Sequence, residues 1–252
     1  MSNGRRHLPL LTLAVVLATT IGAAAQLVEP GVLEALRRDP DALAAGEWWR
    51  IVSPLLVLDG NPWLHYAADT LVLVVVGSTL EREVGPMRWA VLFAAGALVG
   101  QLFGYAWDPT GAGASVAICG LVGGLVVVQL MDHKLHLVAS LFCVGLVAAL
   151  ASAAVMTSLN THGVVASVVV IIICAILINV VMLLHRRSTD PGFTLWYVAA
   201  VVSIGALVLV TQQDIHGAAL LAGLAVGVLL FAARSIRHWR EPRAASASTK
   251  AR

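Results

Sequence analysis

The chain has 252 residues, of which 59% are hydrophobic and only 12% are charged. Its mean hydropathy of +0.88 lies far above the range of water-soluble domains and excludes a soluble globular protein. The formal net charge of +2 comes from basic residues that flank apolar runs, which gives no indication of a nucleic-acid partner. The composition therefore predicts an integral membrane protein.

Eight apolar runs are long enough to cross a bilayer, since a spanning helix needs about 20 mostly apolar residues. In chain order the predicted spans are 8–28, 63–80, 87–107, 114–131, 135–157, 164–184, 193–211 and 215–233. These runs predict an all-α, polytopic helical bundle. The first run also resembles a secretory signal, but its apolar stretch exceeds the usual core of about 7 to 15 residues, so we expect a retained helix.

The basic residues orient the bundle, because lysine and arginine are retained on the cytoplasmic side of a membrane. They fall at alternate ends of successive predicted spans, so residues 1–7 and both termini are expected to be cytoplasmic. A multi-pass location in a bacterial-type plasma membrane follows as an expectation. Residues 29–62 then form an outer interfacial loop, and residues 234–252 form a basic tail that is too polar to fold and is expected to be disordered.

Polar side chains within or at the ends of the spans are functional candidates, because they are costly in a bilayer. They are His65, Asp69, Glu81, Ser115, His162, Asp214 and His216. Ser115 and His216 each lie where a predicted span begins on the outer side, so we expect them at similar depth. A serine hydroxyl becomes a useful nucleophile when a neutral imidazole takes its proton, and an outer position admits the water that hydrolysis needs.

Small residues surround both candidates. Gly113 permits an irregular turn before the helix that carries Ser115, with backbone N–H groups placed to stabilise an oxyanion. Gly223 lies two turns after His216, and small residues let helices approach closely in lipid. These patterns favour contact between Ser115 and His216, although small residues also serve packing alone.

Several ordered segments point to a known family. They are GEWWRIVSPLL in the outer loop, HYAAD and GSTLEREVG in the second span, GALVGQLFG in the third, GASVAICGLVGG in the fourth and HGAALLAGLAVG in the last. From about residue 46 to residue 233 the chain resembles the rhomboid family of intramembrane serine proteases. The resemblance implies a rhomboid-like helical bundle, a six-helix core plus two helices here, that cleaves transmembrane protein substrates within the bilayer without metal or cofactor.

The resemblance also implies roles for individual residues. Ser115 matches the nucleophile of a GxS motif that begins at Gly113, and His216 matches the general base. His65 matches a histidine that helps to stabilise the oxyanion. The structural matches are Trp49 and Arg50 in the outer loop, Glu81 at the end of the second span, and Gly223 in the last span.

Three residues depart from the family pattern. Val116 replaces the glycine that commonly follows the nucleophile, and Cys119 stands where many members have an aromatic residue. Asp69 replaces an asparagine whose amide donates to the oxyanion. An ionised carboxylate would repel that charge, so we expect Asp69 to be protonated or to be turned toward His65 or another donor. A purely structural polar contact at this position is an equal alternative.

The number of spans leaves a second candidate for the base. His162 opens the sixth span, as the base does in members with six helices, whereas His216 opens the eighth. Valines follow His162 at the third and seventh positions and hinder close helix approach, while Ala219 and Gly223 follow His216. We therefore favour His216 and interpret the two additional helices as an inserted pair.

Two other functions stay open at this stage. Asp69 and Val116 favour an inactive rhomboid-like protein that binds transmembrane clients, whereas the presence of both Ser115 and His216 favours a protease. A small transporter is less well supported, because transport sites tend to cluster near the bilayer midplane and these polar residues gather toward the outer ends.

Overall fold

A computed structural model describes residues 8–59, 62–188 and 190–249, and every regular element within these ranges is a helix. Eight of the described helices are long and apolar enough to span a membrane: Leu10–Val28, Trp63–Val84, Pro86–Trp107, Ser115–Asp132, Leu137–Ser158, Val164–Arg187, Pro191–Thr211 and Ile215–Ala232. The predicted all-α, eight-span architecture of a multi-pass membrane protein is confirmed. The segment predicted at residues 1–7 lies outside the described residues.

We number the α-helices in chain order. They are α1 (Leu10–Val28), α2 (Gly31–Leu36), α3 (Pro40–Ala44), α4 (Pro62–Val72), α5 (Ser78–Val84), α6 (Pro86–Trp107), α7 (Ser115–Asp132), α8 (Leu137–Ser158), α9 (Val164–Arg187), α10 (Pro191–Thr211) and α11 (Ile215–Thr249). A π-helical turn, Leu73–Gly77, joins α4 to α5, so the two cross as one span. Two short 3-10 turns, Trp48–Ile51 and Ser53–Leu56, complete the loop between α1 and α4.

Helix α7 is the central helix of the bundle, and all of its residues from 115 to 129 are buried. Glycines set its distance from two neighbours. A Cβ atom added to Gly120 would lie 2.6 Å from the carbonyl oxygen of Leu92 on α6, and one added to Gly223 on α11 would collide with the backbone of Gly120. Backbone therefore packs directly on backbone. Helices α7 and α11 begin side by side at one end of the bundle, which we call the site end.

Helix α9 lies at the periphery of the bundle. It packs on α8 and α10, and Val181 is its only buried residue. Most of its remaining surface is apolar, as expected of a helix that faces lipid, and the basic residues His185, Arg186 and Arg187 lie in its last turn.

Helix α11 runs from Ile215 to Thr249 and includes Pro242, and residues 250–252 lie outside the described residues. The disordered basic tail predicted for residues 234–252 stays a prediction.

Glu81 fastens the beginning of α1 to α5. Its buried carboxylate accepts hydrogen bonds from the backbone N–H of Leu11 at 3.0 Å, the backbone N–H of Thr12 at 2.8 Å and the Thr12 hydroxyl at 2.8 Å. These N–H groups belong to the first turn of α1 and have no acceptor within the helix. The carboxylate also carries the charge that the N-terminal end of a helix favours.

We expect Glu81→Ala to destabilise the fold by about 2–4 kcal/mol, because three donors lose a charged acceptor at a buried position. Thermal unfolding in detergent micelles measures the effect. Glu83→Ala is the matched control on the same helix. Glu83 pairs with the exposed Lys134 at 2.6 Å, and exposed pairs contribute about 0–1 kcal/mol. Equal shifts in the two variants would contradict the anchoring role of Glu81.

Candidate active site

Ser115 and His216 meet at the site end of the bundle. Ser115 is the first residue of α7 and His216 is the second residue of α11. The Ser115 Oγ atom lies 2.7 Å from the His216 Nε2 atom, although the two residues are 101 positions apart. This distance is short enough for direct proton transfer between the hydroxyl and the ring.

His216 has a second polar contact, on the other side of its ring. Its Nδ1 atom lies 2.6 Å from the Oδ1 atom of Asp214, which also accepts the backbone N–H of His216 at 2.9 Å. An ionised carboxylate only accepts hydrogen bonds, so Nδ1 donates and Nε2 is left to accept from Ser115. Burial acts to raise the pKa of Asp214, but its interactions with His216 prevail and hold that pKa below its ordinary value.

The pair faces a cavity of about 340 Å³. Its lining residues come from the loops at the site end and from the first turns of α4, α7 and α11: Arg38, Asp59, His65, Asp108, Gly111, Ala112, Gly113, Ser115, Val116, Ile215 and His216. The cavity therefore combines a serine–histidine pair with charged side chains and backbone from a glycine-rich turn.

The turn before α7 requires glycine at position 113. Gly113 has φ +143°, and a Cβ atom there would lie 3.1 Å from the Cε1 atom of His65. Its N–H donates to the carbonyl of Pro54 at 2.8 Å, so this N–H is already engaged, unlike the free donor that the sequence suggested. Gly113 thus joins the outer loop to the turn and leaves room for the His65 ring.

Two other backbone donors lie at the beginning of α7. The N–H groups of Ala117 and Ile118 donate to the carbonyl of Ala114. The N–H groups of Ser115 and Val116 therefore have no acceptor within the helix. Together with the favourable electrostatic potential at a helix N-terminus, they are suited to stabilise negative charge beside the Ser115 hydroxyl.

His65 and Asp69 lie on one face of α4. The Nδ1 atom of His65 lies 3.2 Å from the carbonyl oxygen of Asp59, to which it donates, and its Nε2 atom lies 3.7 Å from Oδ2 of Asp69. Asp69 is buried and lines a smaller neighbouring cavity beside Ala114, not the cavity of Ser115 and His216. This Oδ2 atom is beyond hydrogen-bonding distance of the His65 ring, and it is buried without a hydrogen-bond partner among the described residues.

The two substitutions on α7 fit their surroundings. Val116 occupies the space beside Gly100 of α6, where a Cβ atom would lie 2.8 Å from Cγ1 of Val116. Cys119 is a fully buried free thiol one turn after Ser115. A valine after Ser115 therefore depends on a glycine in the facing helix.

Trp49 and Arg50 organise the outer loop and do not line the cavity. The buried Arg50 guanidinium donates to the carbonyls of Glu34 and Arg37 and pairs with the carboxylate of Glu47 at 2.7 Å. Trp49 is 54% exposed, as suits an aromatic side chain at a membrane interface.

Arg38 is a cavity residue that the sequence did not reveal. Its guanidinium is buried, pairs with the Asp108 carboxylate at 2.6 Å and donates to the side chain of Gln101 at 2.9 Å. A Cβ atom on Gly104 would lie 2.8 Å from Nε of Arg38, so this glycine makes room for the guanidinium. Burial lowers the pKa of Arg38 and Asp108 opposes that effect, which leaves the arginine charged.

His162, the second candidate for the base, lies apart from this site. It is exposed in the loop between α8 and α9 and is not among the residues that line the cavity. Ser115 is paired with His216 instead.

Comparisons with known proteins agree with this geometry. Curated relatives include the rhomboid protease GluP of Bacillus subtilis, 35% identical over 101 residues that make up 40% of this chain and 20% of GluP. The putative rhomboid protease YdcA of the same organism is 30% identical over 37% of this chain and 47% of its own length. The chloroplastic RHOMBOID-like protein 9 of Arabidopsis thaliana is 32% identical over 38% of this chain and 22% of its own.

The matched segments thus span from about a fifth to just under half of these relatives. No solved structure matches the chain. A family model described as the rhomboid domain matches residues 45–237, which include all of α7 and the first part of α11, with His216. The chain belongs to the rhomboid family.

Proposed function

We propose that this protein is an intramembrane serine endopeptidase that cleaves the transmembrane segments of membrane proteins. One observation carries the proposal: the 2.7 Å contact between Ser115 Oγ and His216 Nε2, made at the wall of a cavity within a rhomboid domain. Two of its relatives are named as rhomboid proteases, one of them putatively, which supports the same class of reaction.

In the first step, the Ser115 oxygen attacks the scissile carbonyl while His216 Nε2 accepts the hydroxyl proton. His216 then gives this proton to the leaving amine, and an acyl-enzyme remains on Ser115. Water attacks the acyl-enzyme with His216 again as the base, and the proton returns to the Ser115 oxygen as the acid product leaves.

The tetrahedral oxyanion is stabilised by the N–H groups of Ser115 and Val116 and by His65. Because Nδ1 of His65 donates to a backbone carbonyl, Nε2 donates as well only when the ring is an imidazolium. The Asp69 carboxylate, 3.7 Å from Nε2, balances that positive charge. An aspartate in place of asparagine is then compatible with catalysis, since it acts on the oxyanion through His65.

The substrates are single-span or other transmembrane proteins that reach the site from the lipid bilayer. The alternating basic residues support cytoplasmic termini in a bacterial-type plasma membrane, with the site end at the outer surface where water enters.

Covalent labelling with a fluorophosphonate probe tests the proposal, because such probes react with a serine oxygen that a base activates. We expect the purified protein in proteoliposomes to be labelled, and Ser115→Ala to remain unlabelled. In the same vesicles, wild type should cut a single-span substrate near the outer end of its span. Absence of both labelling and cleavage would contradict the proposal and favour an inactive protein that binds transmembrane clients.

A further inference from the structure

The contacts of Asp214 go beyond those needed to begin a helix. It directly precedes α11, where an aspartate commonly accepts the N–H of the second or third helical residue. Here one oxygen, Oδ1, accepts both the backbone N–H and the ring Nδ1 of His216, at 2.9 Å and 2.6 Å. The carboxylate therefore holds both the backbone and the ring of His216.

Asp190 caps a helix in the same way as Asp214 but has no contact with a ring. It occupies the corresponding position before α10, at the opposite end of the bundle, and its Oδ1 accepts the N–H of Gly192 at 2.8 Å. The residue that it caps is a glycine, which has no ring to orient. The two aspartates share one backbone interaction, and they differ in the contact with the imidazole.

We propose that Asp214 is a positioning residue for the reaction, which holds His216 with Nε2 toward Ser115 and stabilises the imidazolium formed when Ser115 gives up its proton. The inference rests on the proposed function of Ser115 and His216. Asp214 neither touches substrate nor takes the proton in this scheme. It acts through the ring alone, and it turns a serine–histidine pair into a serine–histidine–aspartate arrangement.

Asp214 differs from the other charged groups around His216 because it forms a hydrogen bond with the ring. The adjoining end of α10 offers only the uncharged Gln212 and Gln213. The titratable or charged groups near the ring from the other elements are Ser115 and Cys119 of α7, His65 and Asp69 of α4, and the cavity residues Arg38, Asp59 and Asp108. Ser115 and Asp214 each form a hydrogen bond with the ring, one at each nitrogen.

The interactions of Asp214 with His216 favour the ionised form of its carboxylate. Its pKa is below the ordinary value, so the group is ionised at neutral pH, and its interaction with His216 is lost only when the pH falls through that lowered value. Any change of activity near neutral pH in an Asp214 variant thus reports loss of a carboxylate that wild type carries there.

Two substitutions separate positioning from capping. Asparagine and serine both cap helices well, so Asp214→Asn and Asp214→Ser should leave thermal stability near that of wild type. Asparagine removes the charge and also permits the wrong ring tautomer, and the serine side chain is too short to hold the ring. We expect kcat for a single-span substrate in proteoliposomes to fall by about 100-fold in both variants, with KM within about twofold of wild type.

The pH profile gives a second readout, which a purely structural role would not change. Without the carboxylate, the protonated ring is less favoured, so the acid-side midpoint of kcat/KM should move to lower pH in Asp214→Asn. Asp190→Asn is the matched control at a helix cap, and we expect its turnover and its midpoint to equal those of wild type.

The possible outcomes distinguish the two proposals. If wild type is labelled by the fluorophosphonate probe, while Asp214→Asn and Asp214→Ser keep wild-type turnover and midpoint, then Asp214 is only a helix cap and the positioning role is overturned. If wild type itself is neither labelled nor active, the proposed function fails, and the positioning role fails with it. Reduced turnover, a shifted midpoint and an unchanged Asp190→Asn support both.

Discussion

Replacing Ser115 with alanine is expected to reduce the rate of substrate cleavage by a factor of about 10⁴ or more, because the proposed reaction loses the oxygen that would form the acyl-enzyme. Little else should change. The Ser115 side chain does not cap α7, and its hydroxyl bonds only to His216 among the described residues. Cleavage of a single-span substrate in proteoliposomes measures the loss, and thermal unfolding verifies that the fold is retained.

Ser140→Ala is a suitable control for this variant. Ser140 is also buried, on α8, and its hydroxyl donates to Oε1 of Gln129 at 2.9 Å near the opposite end of α7. We expect this variant to lose stability, by about 1 kcal/mol, and to keep its turnover. Comparable cleavage by wild type and Ser115→Ala would remove Ser115 from the mechanism.

Replacing His216 with alanine is expected to lower turnover by about 10³-fold or more, since no other base contacts the Ser115 hydroxyl in the described chain. His162→Ala, at the other histidine that opens a predicted span, should retain turnover within about twofold of wild type. Both variants are assayed on the same substrate in proteoliposomes over a range of pH. An inactive His162→Ala together with an active His216→Ala would reverse the assignment of the base.

The membrane spans, and the contact between two of them, could be predicted from the sequence for a physical reason. A helix that crosses lipid needs an apolar run of a fixed minimum length, and such runs are visible in one chain. Alternate crossing then places the beginnings of α7 and α11 at the same end. The small residues at Gly120 and Gly223 indicate which of the helices there pack most closely, and the structure has them in backbone contact.

The sequence gives much less information on which polar side chains pair with each other. The pairing of Arg38 with Asp108 depends on how the outer loop folds back over α6, and no periodic pattern encodes that path. The fit of Val116 beside Gly100 likewise requires the relative rotation of two helices. The sequence places Asp214 two residues before His216, but its contact with Nδ1 depends on a side-chain torsion that composition and spacing do not specify.

The glycine contacts of α7 also help to maintain the distance between Ser115 Oγ and His216 Nε2. At Gly96, Gly120 and Gly223, main-chain atoms of neighbouring helices touch without intervening side chains. Side chains adjust to thermal motion by changing rotamer, whereas touching main chains have no such freedom. The distance between the Ser115 and His216 side chains should therefore be insensitive to bilayer thickness and acyl-chain composition, even where lipid-facing helices such as α9 change their tilt as the bilayer changes.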